Sequence, residues 1–336
     1  MTKTFKTCAI FCFTVVWLIL MRVVVGETTL SDNASDWLFS FFIQVIGLGA
    51  VPIVLYKFWV KEDITTGFSL KFKIKPVIYL IAIGVGIALH FLIVSISIIW
   101  QNVAILMGYT PTNSVGTIYS GPEVLILGIL TSAVLPAVFE EITYRGLGMQ
   151  MFASTGNEKI KVIMTAVLFG LGHQFIMQTG YAFVAGLVLG FIAVKSRSIV
   201  PGMIVHFINN FFSVIDGYSE QNRNAYYYFN ERINSLCYDS WGAVILTLIL
   251  SGVVIYGLLL AVKKTRGEDC REQNEEGNYY YPKSVQYIDE IFGKLIRSET
   301  KVGSERTAWY EYAFLYAAIA IMTATTIFSF IWGVWR

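Results

Sequence analysis

Long apolar runs constrain this sequence more than any other feature. A helix needs roughly 20 apolar residues to cross a hydrocarbon layer of about 30 Å. Inside a bilayer every backbone polar group must be paired within the protein, so such runs cross it as helices. We therefore predict an all-α polytopic transmembrane helix bundle with about eight or nine spans. The nine candidate runs are residues 7–25, 37–60, 77–100, 123–152, 162–177, 181–194, 199–215, 241–262 and 309–335.

The composition supports a membrane protein and excludes several other classes. Hydrophobic residues make up 55% of the 336 residues and charged residues only 14%, whereas soluble domains average about 25% charged residues. A disordered chain, a coiled coil and a water-soluble enzyme are therefore excluded. The net charge of +2 gives no indication of nucleic-acid binding. The expected partners are the lipid bilayer and a membrane-associated peptide or protein.

Lysine and arginine are concentrated in alternate loops. They occur before the first span and after the second, fourth, sixth and eighth, whereas residues 26–36 and 101–121 contain neither. Because cytoplasmic loops carry an excess of Lys and Arg, we predict a cytoplasmic N-terminus and an outer C-terminus. The expected location is a cell membrane, most simply that of a bacterium.

Ionisable side chains inside apolar spans are uncommon, and each is a functional hypothesis. The fourth span contains Glu140, Glu141 and Arg145, the fifth contains His173, and the seventh contains His206 and Asn210. Two of the three histidines of the chain therefore accompany the acidic pair. We place the centre of the fourth span near Glu140, and Pro136 can kink this helix. Glu140 and His206 then lie at a similar depth in the membrane.

Helical spacing assigns possible roles to these groups. Glu141 and Arg145 are four residues apart on one face and can neutralise each other, while Glu140 is turned about 100° away and can face a cavity. His206 and Asn210 are also one turn apart. A carboxylate with an imidazole can deprotonate water, and a second imidazole with an amide can stabilise an oxyanion. We therefore expect an intramembrane catalytic cavity for water attack on a peptide carbonyl.

Three short motifs carry a family resemblance. Residues 139–146, FEEITYRG, resemble the E-E-x-x-x-R motif of the CPBP family. This is the CAAX protease and bacteriocin-processing (Abi) family of intramembrane endopeptidases. Residues 169–173, FGLGH, resemble its F-x-x-x-H motif, and residues 206–210, HFINN, resemble its H-x-x-x-N motif. The three motifs follow one another in the family's order, each on a predicted span.

The resemblance implies an endopeptidase that acts on membrane-associated or lipidated CAAX-like peptides. It also implies that Glu140 and His173 activate water, that His206 and Asn210 hold the oxyanion, and that Glu141 and Arg145 support the site. The family has been described both as glutamic and as metal-dependent. We favour the glutamic type without a cofactor, because no H-E-x-x-H motif is present. In the zinc alternative, Glu140, His173 and His206 would be the ligands.

Two other functional classes stay open. One is a non-catalytic relative that binds peptides or confers immunity to a bacteriocin. The other is a transporter in which buried carboxylates relay protons, although a proton relay does not require His206 and Asn210 one turn apart.

The predicted organisation has five parts. A long polar insertion, residues 263–307, precedes the last span and contains apolar residues at helical spacing over 285–296. This pattern predicts an amphipathic helix on the inner membrane surface, and a solvated linker helix is an equal alternative. The parts are N-terminal transmembrane helices (1–121), a CPBP-like catalytic core (122–215), an outer loop with a further span (216–262), the cytoplasmic insertion (263–307) and a C-terminal span (308–336).

Overall fold

The computed structural model describes residues 1–26, 37–38, 40–110, 121–269, 272–273, 279–280 and 308–335. These residues are helical apart from connecting turns and one short antiparallel ladder, in which Glu272–Gln273 pairs with Tyr279–Tyr280. The predicted all-α polytopic bundle is thus confirmed. The predicted amphipathic helix of the 263–307 insertion and Cys270 lie outside the described residues.

Ten helices of ten residues or more make up the described part of the chain. Two of them, Phe41–Val60 and Pro122–Met151, combine α-helical and π-helical turns. The helices are α1 (Lys3–Gly26), α2 (Phe41–Val60), α3 (Pro76–Leu106), α4 (Pro122–Met151), α5 (Glu158–Gly172), α6 (Ile176–Ser196), α7 (Val200–Asn222), α8 (Ala225–Tyr238), α9 (Trp241–Asp269) and α10 (Ala313–Trp335).

Seven of these helices are long and apolar enough to cross a membrane by length and composition: α1, α2, α3, α4, α6, α9 and α10. The protein is therefore a multi-pass integral membrane protein. The predicted fifth and seventh spans correspond to α5 and α7, which are outside this set. With 15 residues, α5 is about 22 Å long at 1.5 Å per residue. It packs along α6, and α7 packs along α3.

Helix α4 is continuous over its 30 residues, with Glu140 near its middle as predicted. Pro136 does not end it. Proline lacks an N–H and clashes with the carbonyl one turn earlier, and the π-helical turns Ile129–Val134 lie directly before this position. A second π-helical segment, Glu141–Leu147, carries the acidic motif. Such segments are frequent at functional sites because they re-aim side chains.

The predicted fifth span, 162–177, is wrong at its C-terminal end. Helix α5 stops at Gly172, so His173 lies in the link to α6. Gln174 follows with φ of 53°, a left-handed conformation that commonly ends helices. A Cβ at Gly172 would lie 1.9 Å from the Tyr144 hydroxyl oxygen. Only glycine therefore permits this close approach of α5 to α4.

Residues 216–240, predicted as an outer loop, are largely helical. Helix α7 continues to Asn222, and α8 follows it. Asp216 accepts hydrogen bonds from Tyr226 (3.1 Å) and Asn230 (2.9 Å). Its second carboxylate oxygen lies 3.3 Å from His90 Nε2. His90, the histidine outside the three motifs, thus joins α3 to the end of α7.

Candidate active site

The predicted ion pair of Glu141 and Arg145 is present and lies inside the protein. Arg145 Nη1 donates to Glu141 Oε1 at 2.7 Å, and neither side chain is exposed. Arg145 Nη2 donates to the Gly186 carbonyl at 3.2 Å. The guanidinium carbon also lies 4.4 Å from the centroid of the Phe169 ring. Arg145 therefore ties α4 to α5 and α6.

Gly186 makes this arrangement possible. A Cβ at this position would lie 2.8 Å from the Cα of Ala166, closer than real Cβ atoms approach other atoms. The missing side chain lets α6 lie directly against α5, with the Gly186 carbonyl within reach of Arg145. One small residue thus supports the burial of a full positive charge.

His206 lies between the two glutamates. Its Nδ1 is 3.2 Å from Glu141 Oε1, and its Nε2 is 3.8 Å from Glu140 Oε2. An ionised carboxylate only accepts hydrogen bonds, so the proton on Nδ1 points to Glu141. Nε2 therefore faces Glu140. The predicted similar depth of Glu140 and His206 is confirmed by these contacts.

His173 is oriented by the last turn of α5. Its Nδ1 lies 2.8 Å from the Phe169 carbonyl oxygen, which can only accept, so Nδ1 carries the proton and Nε2 presents a lone pair. Arg22 of α1 donates to the His173 carbonyl at 3.0 Å. A cation is favourable there because the last carbonyls of a helix carry partial negative charge.

Phe169 packs between both imidazoles. Its ring meets His173 at 5.0 Å and His206 at 5.7 Å between centroids, edge to face in both cases. Together with the Arg145 guanidinium against the ring, these contacts make Phe169 the apolar centre of the site. The phenylalanine of the F-x-x-x-H motif thus orients three charged or titratable groups.

A small, partly open cavity adjoins these groups. Its volume is about 50 Å³, and a bound water needs about 10–15 Å³ on this measure. His173, His206 and Asn210 line it, so the structure brings three of the four predicted catalytic residues to one cavity. Glu140 is not part of the lining, and its Oε2 lies 3.8 Å from His206 Nε2. The other lining residues are Leu89, Ile93, Phe169, Tyr181, Ala182, Ala185, Leu189 and Asn209.

The amide of Asn210 is oriented by its neighbour. Asn209 Nδ2 donates to Asn210 Oδ1 at 3.1 Å. With its oxygen engaged, Asn210 has its two N–H donors left for the cavity.

Sequence reasoning missed two residues of the site, Gln44 and Arg22. Gln44 Nε2 donates to Glu140 Oε1 at 2.9 Å. Both residues lie on helices that precede the three motifs. A signal for Gln44 was present, because it is the only amide or charged side chain between residues 37 and 56. An amide placed in hydrocarbon needs a polar partner.

The residues proposed as zinc ligands do not form a ready metal site. Within the described ranges, no group of three or more His, Cys, Asp or Glu side chains is arranged to hold a metal ion. Structural and catalytic zinc sites need three or four such ligands around one point.

A bundle of apolar helices around one buried carboxylate–imidazole cluster defines a membrane protein with the equipment for hydrolysis. Residues 122–212 match the family model for Rce1-like, type II CAAX prenyl endopeptidases. The match covers little more than a quarter of the chain and includes all three motifs. It confirms the resemblance to CPBP proteases and supports a CAAX protease-like membrane enzyme. Comparison with curated proteins and with solved structures found no match.

Proposed function

We propose that the protein is an intramembrane endopeptidase that hydrolyses a peptide bond in a membrane-associated or lipidated, CAAX-like peptide or protein. The observation that carries this proposal is the water-sized cavity lined by His173, His206 and Asn210, with Glu140 Oε2 3.8 Å from His206 Nε2. The direct test is hydrolysis of an internally quenched peptide with a farnesylated cysteine near its C-terminus, by the purified protein and its Glu140→Gln variant.

Glu140 is the proposed base. Gln44 engages its Oε1, so Oε2 is the oxygen left for the proton of the attacking water. His173 presents an Nε2 lone pair to the cavity and orients that water as a hydrogen-bond acceptor. A positioned general base of this kind contributes about 100- to 10,000-fold to a hydrolytic rate.

His206 and Asn210 are the proposed oxyanion donors. Because Nδ1–H of His206 is directed to Glu141, its Nε2 can donate only when the ring carries both protons. The proton taken from water by Glu140 Oε2 passes to His206 Nε2, 3.8 Å away. Glu141 stabilises the resulting imidazolium. The imidazolium binds the oxyanion and then returns the proton to the leaving amine.

We expect Asn210→Ala to fold normally and to cleave the farnesylated peptide about 100- to 1000-fold more slowly, which is the usual effect of losing one oxyanion donor. The loss should appear in kcat with little change in KM, since the donor acts on charge that develops in the transition state. Steady-state kinetics in detergent micelles measure both constants.

The matched control for this prediction is Asn102→Ala. Asn102 is an exposed residue of α3 whose amide donates to the Ile98 carbonyl of the same helix. It should retain full activity. An Asn210→Ala enzyme with unchanged kcat would contradict the oxyanion assignment.

The glutamic mechanism makes a separate prediction about metals. We expect purified active protein to contain far less than one zinc per chain and to keep its activity in excess chelator. Elemental analysis and chelator titration measure this. If activity and stoichiometric zinc are lost together, the metal-dependent alternative is correct.

The proposed orientation places the N-terminus in the cytoplasm. Cys237, on the partly exposed α8, should then react with a membrane-impermeant maleimide from outside, and Cys270 only after the inner side is opened. The buried Cys8 and Cys12 should stay unlabelled in both conditions. Single-cysteine variants in sealed cells give the readout. Labelling of Cys237 only from the inner side would reverse the orientation.

A further inference from the structure

We propose that Gln44 is a positioning residue for Glu140, so that the active site is completed by a helix outside the family-matching segment 122–212. This inference rests on the proposed function, since it concerns the proposed base. Gln44 belongs to α2 and donates from Nε2 to Glu140 Oε1 at 2.9 Å.

The hydrogen bond determines which oxygen of Glu140 is available. A carboxylate on a helix can rotate about its side-chain bonds and exchange its two oxygens. With Oε1 held by Gln44, Oε2 is directed to His206 Nε2 at 3.8 Å. This is the oxygen that the mechanism uses as the base. Gln44 thereby fixes the direction of proton transfer while adding no charge of its own.

The packing of α2 against α4 holds Gln44 in place. Thr143 Oγ1 donates to the Leu48 carbonyl at 2.6 Å, in a fully buried contact one turn along α2 from Gln44. A Cβ at Gly49 would lie 2.5 Å from the Phe139 ring, so glycine allows the two helices to touch there. These two contacts lie on either side of Glu140 along α4. They set the register in which Gln44 faces it.

The unpaired side-chain oxygen of Gln44 supports a role for this residue in positioning Glu140. Gln44 Oε1 is buried and accepts no hydrogen bond from the residues that the structure describes. Rotating the amide by 180° would turn this oxygen to the Glu140 carboxylate, where two acceptors repel. The donor orientation is therefore the favourable one, and it leaves one oxygen unpaired. A residue chosen only for packing in this apolar stretch would avoid such a group.

The first experiment measures kinetics with the farnesylated peptide. We expect Gln44→Met, which keeps the length but removes the donor, to lower kcat about 10- to 100-fold with little change in KM. Gln44→His, which restores an N–H near the same position, should recover part of kcat. The control is Gln150→Met, because Gln150 donates a similar amide bond to the Gly67 carbonyl, away from the site. Gln150→Met should change stability without lowering kcat.

The second experiment does not need cleavage. Melting temperatures of Gln44→Met, Glu140→Met and the double variant form a thermodynamic cycle. Each single variant leaves one partner unpaired, so the double variant should melt at a higher temperature than additivity predicts. Additive shifts, or a Gln44→Met enzyme with wild-type kcat, would overturn the inference. A wild-type protein that fails to cleave the peptide would instead overturn the proposed substrate, and the cycle would still test whether Gln44 and Glu140 interact.

Discussion

Glu140→Gln should abolish cleavage of the farnesylated peptide and leave the fold intact. The amide has nearly the shape of the carboxylate and can still bond to Gln44, but it cannot accept a proton from water. The loss of a general base predicts a fall in the cleavage rate of about 100- to 10,000-fold. The fluorogenic assay measures the rate, and the melting temperature shows whether the fold is kept.

The matched control is Glu123→Gln, at an exposed glutamate in the first turn of the same helix α4. It should keep full activity. Wild-type cleavage by Glu140→Gln would show that another group is the base. Glu140→Gln also distinguishes the endopeptidase from the two other functional classes. A peptide-binding or immunity protein would keep its phenotype, and a transporter would lose ion coupling without any change in proteolysis.

Arg145→Ala should prevent accumulation of folded protein. Glu141, which has no solvent exposure, would lose its cationic partner at 2.7 Å and keep only the Nδ1–H of His206 at 3.2 Å. The Gly186 carbonyl and the Phe169 ring would lose their contacts as well. Breaking a buried pair in this way lowers the free energy of unfolding by about 3–5 kcal/mol, a large share of a total of about 5–15 kcal/mol. Yield and thermal unfolding in detergent measure the effect.

Two further variants make this prediction specific. Lys3→Ala removes the exposed Lys3–Glu62 pair, and surface pairs contribute only about 0–1 kcal/mol. Its melting temperature should therefore be close to that of the wild type. The double variant Glu141→Gln with Arg145→Met should be more stable than Arg145→Ala, because it buries no unpaired charge. A well-expressed Arg145→Ala protein with a normal melting temperature would contradict the structural role of the pair.

Local patterns in the sequence were sufficient for the architecture and for most of the site. Apolar runs of membrane-spanning length predict helices because a bilayer permits little else. The pairing of Glu141 with Arg145 follows from their spacing on one helix, since residues one turn apart are neighbours wherever the helix lies. The same reasoning placed His206 and Asn210 together, and both line the cavity.

Only the tertiary structure decided which distant helices complete the site. Arg22 and Gln44 lie on α1 and α2, 151 and 96 residues before their partners His173 and Glu140. No periodicity encodes such contacts, because they depend on how whole helices pack. The close approach of α5 to α4, where Gly172 lies beside the Tyr144 hydroxyl, is likewise a contact between two helices. Sequence spacing determines neighbours within a helix, and packing between helices determines which way each reactive side chain faces.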